Sequence, residues 1–100
     1  MNINMLMQQA QKMQKEMQKK QAELEAKLFE ISSSGGAIKV FIYGNRKIER
    51  IEIDRDAIDP DDKEMLEDMI KIALNEAMEI IDKENQKIAN SMSSGMRMPF

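Results

Sequence analysis

The sequence predicts an α+β fold in the order α-β-β-β-α, a small antiparallel sheet flanked by two long helices. Three observations carry that reading. In the first quarter of the chain, apolar residues return every three, four or seven positions, the period of a helix with one buried side. Two short alternating runs flank Gly44-Asn45, the pattern of a hairpin. Asp59-Pro60 then opens a long stretch in which apolar residues again return at helical spacing.

Residues 5–28 read as the first helix. Ile3, Leu6, Ala10, Met13, Met17, Leu24 and Leu28 form its apolar seam, and the Gln, Lys, Glu and Ala between them are good helix formers. Residues 29–33 read as a short first strand, and Ser32-Ser33-Ser34-Gly35-Gly36 as a flexible turn. Residues 37–43 place Ile38, Val40 and Ile42 on one face of the next strand. Gly44-Asn45 suits a two-residue turn with Gly at the position of positive φ, and residues 46–53 return. That turn sets Ile38 opposite Ile51, Phe41 opposite Ile48 and Lys39 opposite Arg50. Ile51 and Ile53 then share the Ile38 face, while Ile48 joins Phe41 on the reverse. Asp59 is the expected N-cap and Pro60 the first helical residue, and Asp61 and Asp62 suit the positive end of the helix dipole. This helix is expected to run from Pro60 to near Asn90. Leu66, Met69, Ile70, Ala73, Ala77, Ile80 and Ile81 form its main stripe, which Ile72, Leu74 and Met78 widen. The expected organisation is a single domain, 1–90, and a flexible C-terminal tail, 91–100, rich in Ser, Gly, Met and Pro.

With 42% hydrophobic and 33% charged residues over 100 positions, the composition is that of one globular domain. There is no cysteine, which excludes a disulfide framework, a thiol nucleophile and a thiolate zinc site. There is no histidine, the commonest metal ligand and general base. The expectation is a protein that is not an enzyme, with no catalytic residue, no metal, no cofactor and no small-molecule substrate. No apolar run approaches a membrane span and the first residues lack a signal-peptide core, so a cytoplasmic protein with no membrane partner is expected. The net charge of −3 is unevenly spread: residues 1–28 carry five Lys against three Glu, and residues 57–91 carry four Lys against ten acids.

Several clusters have ordinary structural readings. Asp54 and Asp56 flank a strand end, and Asp61 and Asp62 serve a helix start, rather than holding a cation. Gly35-Gly36 lacks the Gly-Lys-Ser/Thr context of a phosphate loop. The eleven Met fit core or interface packing. Two surfaces carry possible chemistry. On the first helix, Gln8, Lys12, Lys15 and Lys19 cluster opposite the seam and suit phosphate oxygens; the other reading is a solvated face tied by Lys12–Glu16 and Lys19–Glu23 pairs. On the sheet, Lys39, Phe41, Tyr43, Arg46 and Arg50 share the reverse face and suit stacking on nucleic acid; the other reading is a subunit contact with charges at its rim.

Lengths point to a dimer. A six-residue strand spans roughly 20 Å, whereas 24 helical residues span about 36 Å. Apolar helix surface is left over, and a symmetric homodimer is the commonest way to cover it. The alternative is that the two helices cover each other within one chain.

The segment Leu6-Met7-Gln8-Gln9-Ala10-Gln11-Lys12-Met13-Gln14-Lys15-Glu16-Met17 resembles the opening helix of the YbaB/EbfC family of bacterial nucleoid-associated proteins. So, in order, do Gly35-Gly36-Ala37-Ile38-Lys39-Val40, Ile51-Glu52-Ile53-Asp54, Asp61–Asp68, Ala73-Leu74-Asn75-Glu76-Ala77, and Gly95-Met96 with Pro99. The likeness spans essentially the whole chain. It departs at Ser32-Ser33-Ser34, where relatives carry more Gly and Ala, and in the acidity of the second helix. The resemblance implies an α-β-β-β-α fold, a tweezer-like homodimer, and binding of double-stranded DNA at the nucleoid with little sequence preference, affecting DNA conformation and gene expression. A rival of another class is a protein-interaction adaptor that binds a partner through its spare helix surface and does not touch DNA; the acidic second helix favours it and the basic face opposes it.

Overall fold

A computed structural model describes residues 2–96, with side chains through Ser91. The order is α1 (Ile3–Ala26), β1 (Leu28–Ser33), β2 (Ile38–Tyr43), β3 (Ile48–Ile53) and α2 (Lys63–Met96), with one-turn 3₁₀ segments at Ser34–Gly36 and Arg55–Ala57. The strands form one antiparallel sheet in the order β1-β2-β3. This is the predicted α-β-β-β-α, α+β architecture.

α1 starts earlier than expected because the Asn2 side chain accepts from the Asn4 N–H at 3.0 Å and caps it. It also ends earlier, at Ala26. Lys27 is already extended and its carbonyl accepts the Gly44 N–H at 3.0 Å, so Leu28 enters the sheet opposite Tyr43 instead of closing a helical seam.

The hairpin differs from the two-residue turn. The loop is Gly44-Asn45-Arg46, closed by the Tyr43 N–H on the Lys47 carbonyl at 2.9 Å and by the Arg46 N–H on the Tyr43 carbonyl at 2.8 Å. The left-handed residue is Arg46 at φ 72, not Gly44. The longer loop and a bulge at Phe41/Ile42 together shift the register, giving Ile38–Ile53, Lys39–Glu52, Val40–Ile51, Phe41–Arg50 and Ile42–Ile48. Because the net shift beyond the bulge is two residues, Ile51 and Ile53 keep their expected face. Ile48 does not: it lies between the loop and the bulge, where the longer loop alone shifts the register by one residue and sets it on the face of Ile42. Gly44 is required for another reason. A Cβ there would lie 1.9 Å from the Leu24 carbonyl oxygen, so the hairpin tip meets the end of α1 backbone to backbone.

The start of α2 is also corrected. Asp59–Asp62 is a turn, with the Asp62 N–H on the Asp59 carbonyl at 3.0 Å and Pro60 at its second position. Asp62, not Asp59, caps the helix, accepting the Met65 N–H at 3.2 Å. At its other end α2 continues past Asn90 to Met96, and residues 97–100 of the predicted tail lie outside the described residues.

The core is one layer of helix on one layer of sheet. Ile31, Ile38, Val40 and Ile42 pack beneath Ala73, Ala77 and Ile81, with Leu66, Met69, Ile70, Leu74 and Met78 at the margins. The two alanines, one turn apart, let α2 approach the sheet closely. Ile81 is fully buried, but Ile80 is 37% exposed and leaves the predicted stripe. α2 lies over β1 and β2. Ile48 and Ile51, the cross-strand partners of fully buried Ile42 and Val40, therefore remain 39% exposed. Beyond the sheet, the end of α1 packs on α2: Lys20 Nζ donates to Ser91 Oγ and Gln21 Nε2 to Asn85 Oδ1, both at 3.2 Å. Rising numbers on α1 meet falling numbers on α2, so the helices are antiparallel. Within the predicted α1 seam only Leu24 is buried; Ile3, Leu6 and Met17 are exposed. The molecule extends 72 × 28 × 16 Å.

Candidate nucleic-acid interface

Gln8, Lys12, Lys15 and Lys19 all lie on α1 and all are exposed. With 3.6 residues per turn their spacings of four, three and four stack them along one side of the helix. Among the described residues neither the Lys12–Glu16 nor the Lys19–Glu23 pair closes. On α2, by contrast, Lys63–Glu67, Lys71–Asp68 and Lys87–Glu84 do. Lys12, Lys15 and Lys19 make no ion pair among the described residues.

The sheet candidates separate. Lys39, Phe41, Tyr43 and Arg50 occupy the face away from α2, as expected. Arg46 does not join them: from its left-handed position in the loop it turns to α2, where its guanidinium bonds Asp82 and lies 3.6 Å from the Met78 sulfur. Arg50 stacks 3.9 Å from the Phe41 ring centre and sits 3.6 Å from Glu52 and 3.7 Å from Glu49. Lys39 stands opposite Glu52, and Phe41 opposite Glu30. Phe41 is buried under Arg50 and unavailable for stacking on a base. This face is balanced in charge.

A feature that residue-by-residue reading missed emerges from the packing of the chain ends. All 18 acidic residues lie between Glu16 and Glu84. Residues 1–15 contain Lys12 and Lys15 and no acid; residues 85–100 contain Lys87 and Arg97 and no acid. The contacts of Lys20 with Ser91 and of Gln21 with Asn85 bring these two stretches to the same end of the molecule. The result is an arm beyond the Gln21–Asn85 contact, built from the start of α1 and the end of α2, in which Glu16 is the one acid beside Lys12, Lys15, Lys19, Lys20 and Lys87, projecting from a body that holds the other 17 acidic side chains. The acid positions were in the sequence, but their meaning needs the antiparallel pairing. Among the described residues no group of three or more carboxylates gathers as a metal site, and no helix is long and apolar enough to cross a membrane.

Fold and charge together define a two-layer α+β scaffold with a basic arm on an acidic body. The chain belongs to the YbaB/EbfC DNA-binding family, whose family model matches residues 1–96. It is 48% identical over 99 residues to a nucleoid-associated protein of Clostridium novyi (strain NT), covering 99% of this chain and 87% of that one. It is 41% identical over 100 residues to a nucleoid-associated protein of Mycoplasmopsis pulmonis (strain UAB CTIP), covering 100% and 97%. The crystal structure of an uncharacterized protein from Helicobacter pylori shares the fold with a TM-score of 0.73 at 22% identity, covering 92% of this chain and 97% of that one.

Proposed function

We propose that this protein is a nucleoid-associated, homodimeric DNA-binding protein of the cytoplasm that grips duplex DNA through phosphate contacts with little sequence preference. The contacts come from Gln8, Lys12, Lys15 and Lys19 of both subunits, and through them the protein changes DNA conformation and gene expression. The observation that carries this reading is the acid-poor arm. It reconciles a net charge of −3 with a polyanionic partner, because charge is segregated rather than averaged. The first 15 residues span about 20 Å as helix, whereas fields in physiological salt decay over roughly 8 Å. The acids at the start of α2 lie at the far end of a 72 Å molecule and are screened from the arm. Lys39, Arg46 and Arg50, each facing or bonded to acids, take secondary roles at most.

The homodimer is supported by the apolar surface the monomer leaves open on its body: Ile48 and Ile51 beside the covered sheet, and Met65, Ile72 and Ile80 on α2. A partner covering these would leave both arms free. The absence of His and Cys supports a protein with no reaction of its own. The test is a gel shift on unrelated duplexes across a salt series, with sedimentation of the free protein. The expected result is a dimer whose affinity is similar on all sequences and falls steeply with salt. A protein that binds no duplex at low salt would favour the adaptor reading instead.

A further inference from the structure

α1 reaches beyond the helix that packs on it. Met96, the last residue of α2, stands five residues past Ser91 and eleven past Asn85, the partners of Lys20 and Gln21. Because the helices are antiparallel, equal steps back along α1 set Met96 opposite the stretch from Lys15 to Ala10. The turns from Ile3 to Gln9 have no described residue of α2 beside them.

The apolar seam nevertheless runs on into those turns. Ile3 and Leu6 lie 18 residues before Gln21 and Leu24, which is about five whole turns, so they share the side of that pair. It is the side that α2 approaches, since Gln21 bonds Asn85 there. Along it, Leu24 is buried and Gln21 and Met13 half-buried, whereas Leu6 is 46% exposed and Ile3 71%. Gln8, Lys12, Lys15 and Lys19 stand on the opposite side. The seam thus keeps facing the line of α2 after α2 has ended.

Four residues follow on that line, Arg97-Met98-Pro99-Phe100. Pro99 has no N–H to extend a helix and biases Met98 toward extended backbone. Residues two apart in an extended chain share a side and lie about 6.6 Å apart. Helix positions four apart are separated by about 6 Å. Met98 and Phe100 therefore match the spacing of Ala10 and Leu6. The reach also suffices: four extended residues span about 13 Å, the rise of about nine helical residues, which leads from the level of Lys15 to that of Leu6. Residues 1–11 carry no charged side chain to oppose an apolar occupant. A segment tethered this close acts at a high effective concentration, which favours it over a second copy.

We propose that residues 97–100 run on from α2 along α1 of the same chain as a clasp, with Met98 on Ala10 and Phe100 against Ile3 and Leu6. The clasp closes the apolar tip within one subunit, holds the first turns of α1 helical and leaves the Gln8, Lys12, Lys15 and Lys19 side open. It does not depend on what that side binds.

The test uses the full chain without DNA, so it stands apart from the DNA-binding reading. Nuclear Overhauser contacts are expected from the Phe100 ring to the methyls of Leu6 and Ile3. In dimers mixed from differently labelled subunits, those contacts should stay within one chain. Amide exchange over residues 6–11 should quicken about tenfold in a chain stopped at Met96 and in Phe100→Ser, the effect of losing part of an apolar side chain's burial. Phe100→Leu should exchange like wild type. None of these changes touches the buried core, so the urea midpoint should hold in all three and each variant reports on the arm. Absence of the Phe100 contacts, or exchange unchanged by the truncation, would overturn the clasp. Contacts that cross between subunits would also overturn it and assign the seam to a second copy.

Discussion

Along α2, residues 66–81 and residues 85–96 belong to one unbroken helix yet meet different surroundings. The first stretch lays Ala73, Ala77 and Ile81 on the sheet, and its exposed side carries Glu67, Asp68, Glu76 and Glu79. The second has no acid and meets α1 through polar contacts, at Asn85 and Ser91. α1 repeats the contrast in reverse, with Leu24 buried near the body and Ile3, Leu6 and Met17 exposed along the arm. In the body, apolar burial fixes position and charge is spent on solubility. In the arm, little is buried and all but one of the charged side chains are basic. Stability should therefore be lost in the body and binding in the arm, with little crossover.

The hardest test of that division is Ile81→Asp. Ile81 is fully buried among Ile31, Ile38, Val40 and Ile42, and an unpaired carboxylate there should cost more than about 4 kcal/mol. Urea unfolding should show no folded baseline. The neighbour Ile80→Asp, at a site 37% exposed, should keep a cooperative transition and instead shift sedimentation toward monomer. Equal effects from the two would mean that the body has no defined inner and outer side.

Next in size is Gly44→Ala, at the joint between arm and body. The added methyl would meet backbone, not a yielding side chain, 1.9 Å from the Leu24 carbonyl oxygen. The hairpin tip must move off α1, for a loss of about 2–4 kcal/mol in the denaturation midpoint. Small-angle scattering should broaden at the longest distances as the arm loses its seat. An unchanged midpoint would show that the joint is loose.

What could be read from the sequence divides along physical lines. The elements and the buried face of β2 follow from periodicity, which acts within a few residues, so Ile38, Val40 and Ile42 were legible. The hairpin register was not, because a left-handed Arg46 has no composition signal, whereas Gly44 offered a false one. Gly44 is glycine on account of Leu24, twenty residues away, and only the fold brings the two together. Asp59-Pro60 is a strong start signal that the chain uses for a turn, since Asp62 is equally able to cap. The basic side of α1 was legible, as helical spacing alone groups Gln8, Lys12, Lys15 and Lys19. That Arg46 faces α2, and that the two chain ends form one arm, needed the tertiary structure.

Lys15→Ala probes the arm directly. A dimer loses two phosphate contacts, so binding should weaken on every duplex and the log–log salt slope flatten by about 1–2 units. Lys15 is exposed with no ion pair among the described residues, so folding should shift by no more than about 0.5 kcal/mol. Unchanged affinity and slope would move the search to Lys39 and the sheet.

The smallest expected effect is the one that makes the others interpretable. Lys63→Ala removes the same unit of charge as Lys15→Ala, from a protein of the same net charge, and differs only in place. Lys63 opens α2, where it sits 3.7 Å from Glu67 in an exposed i,i+4 pair. Such pairs contribute about 0.3–0.5 kcal/mol, so a barely measurable loss of stability is expected. If DNA were drawn by total charge, the two variants would weaken binding alike, because each makes the chain one unit more negative. If DNA is held at the arm, Lys63→Ala should leave affinity and salt slope within error of wild type, since Asp59, Asp61, Asp62 and Glu64 around it already exclude phosphate. Equal losses in the two gel shifts would remove the arm as a site and leave only a diffuse attraction.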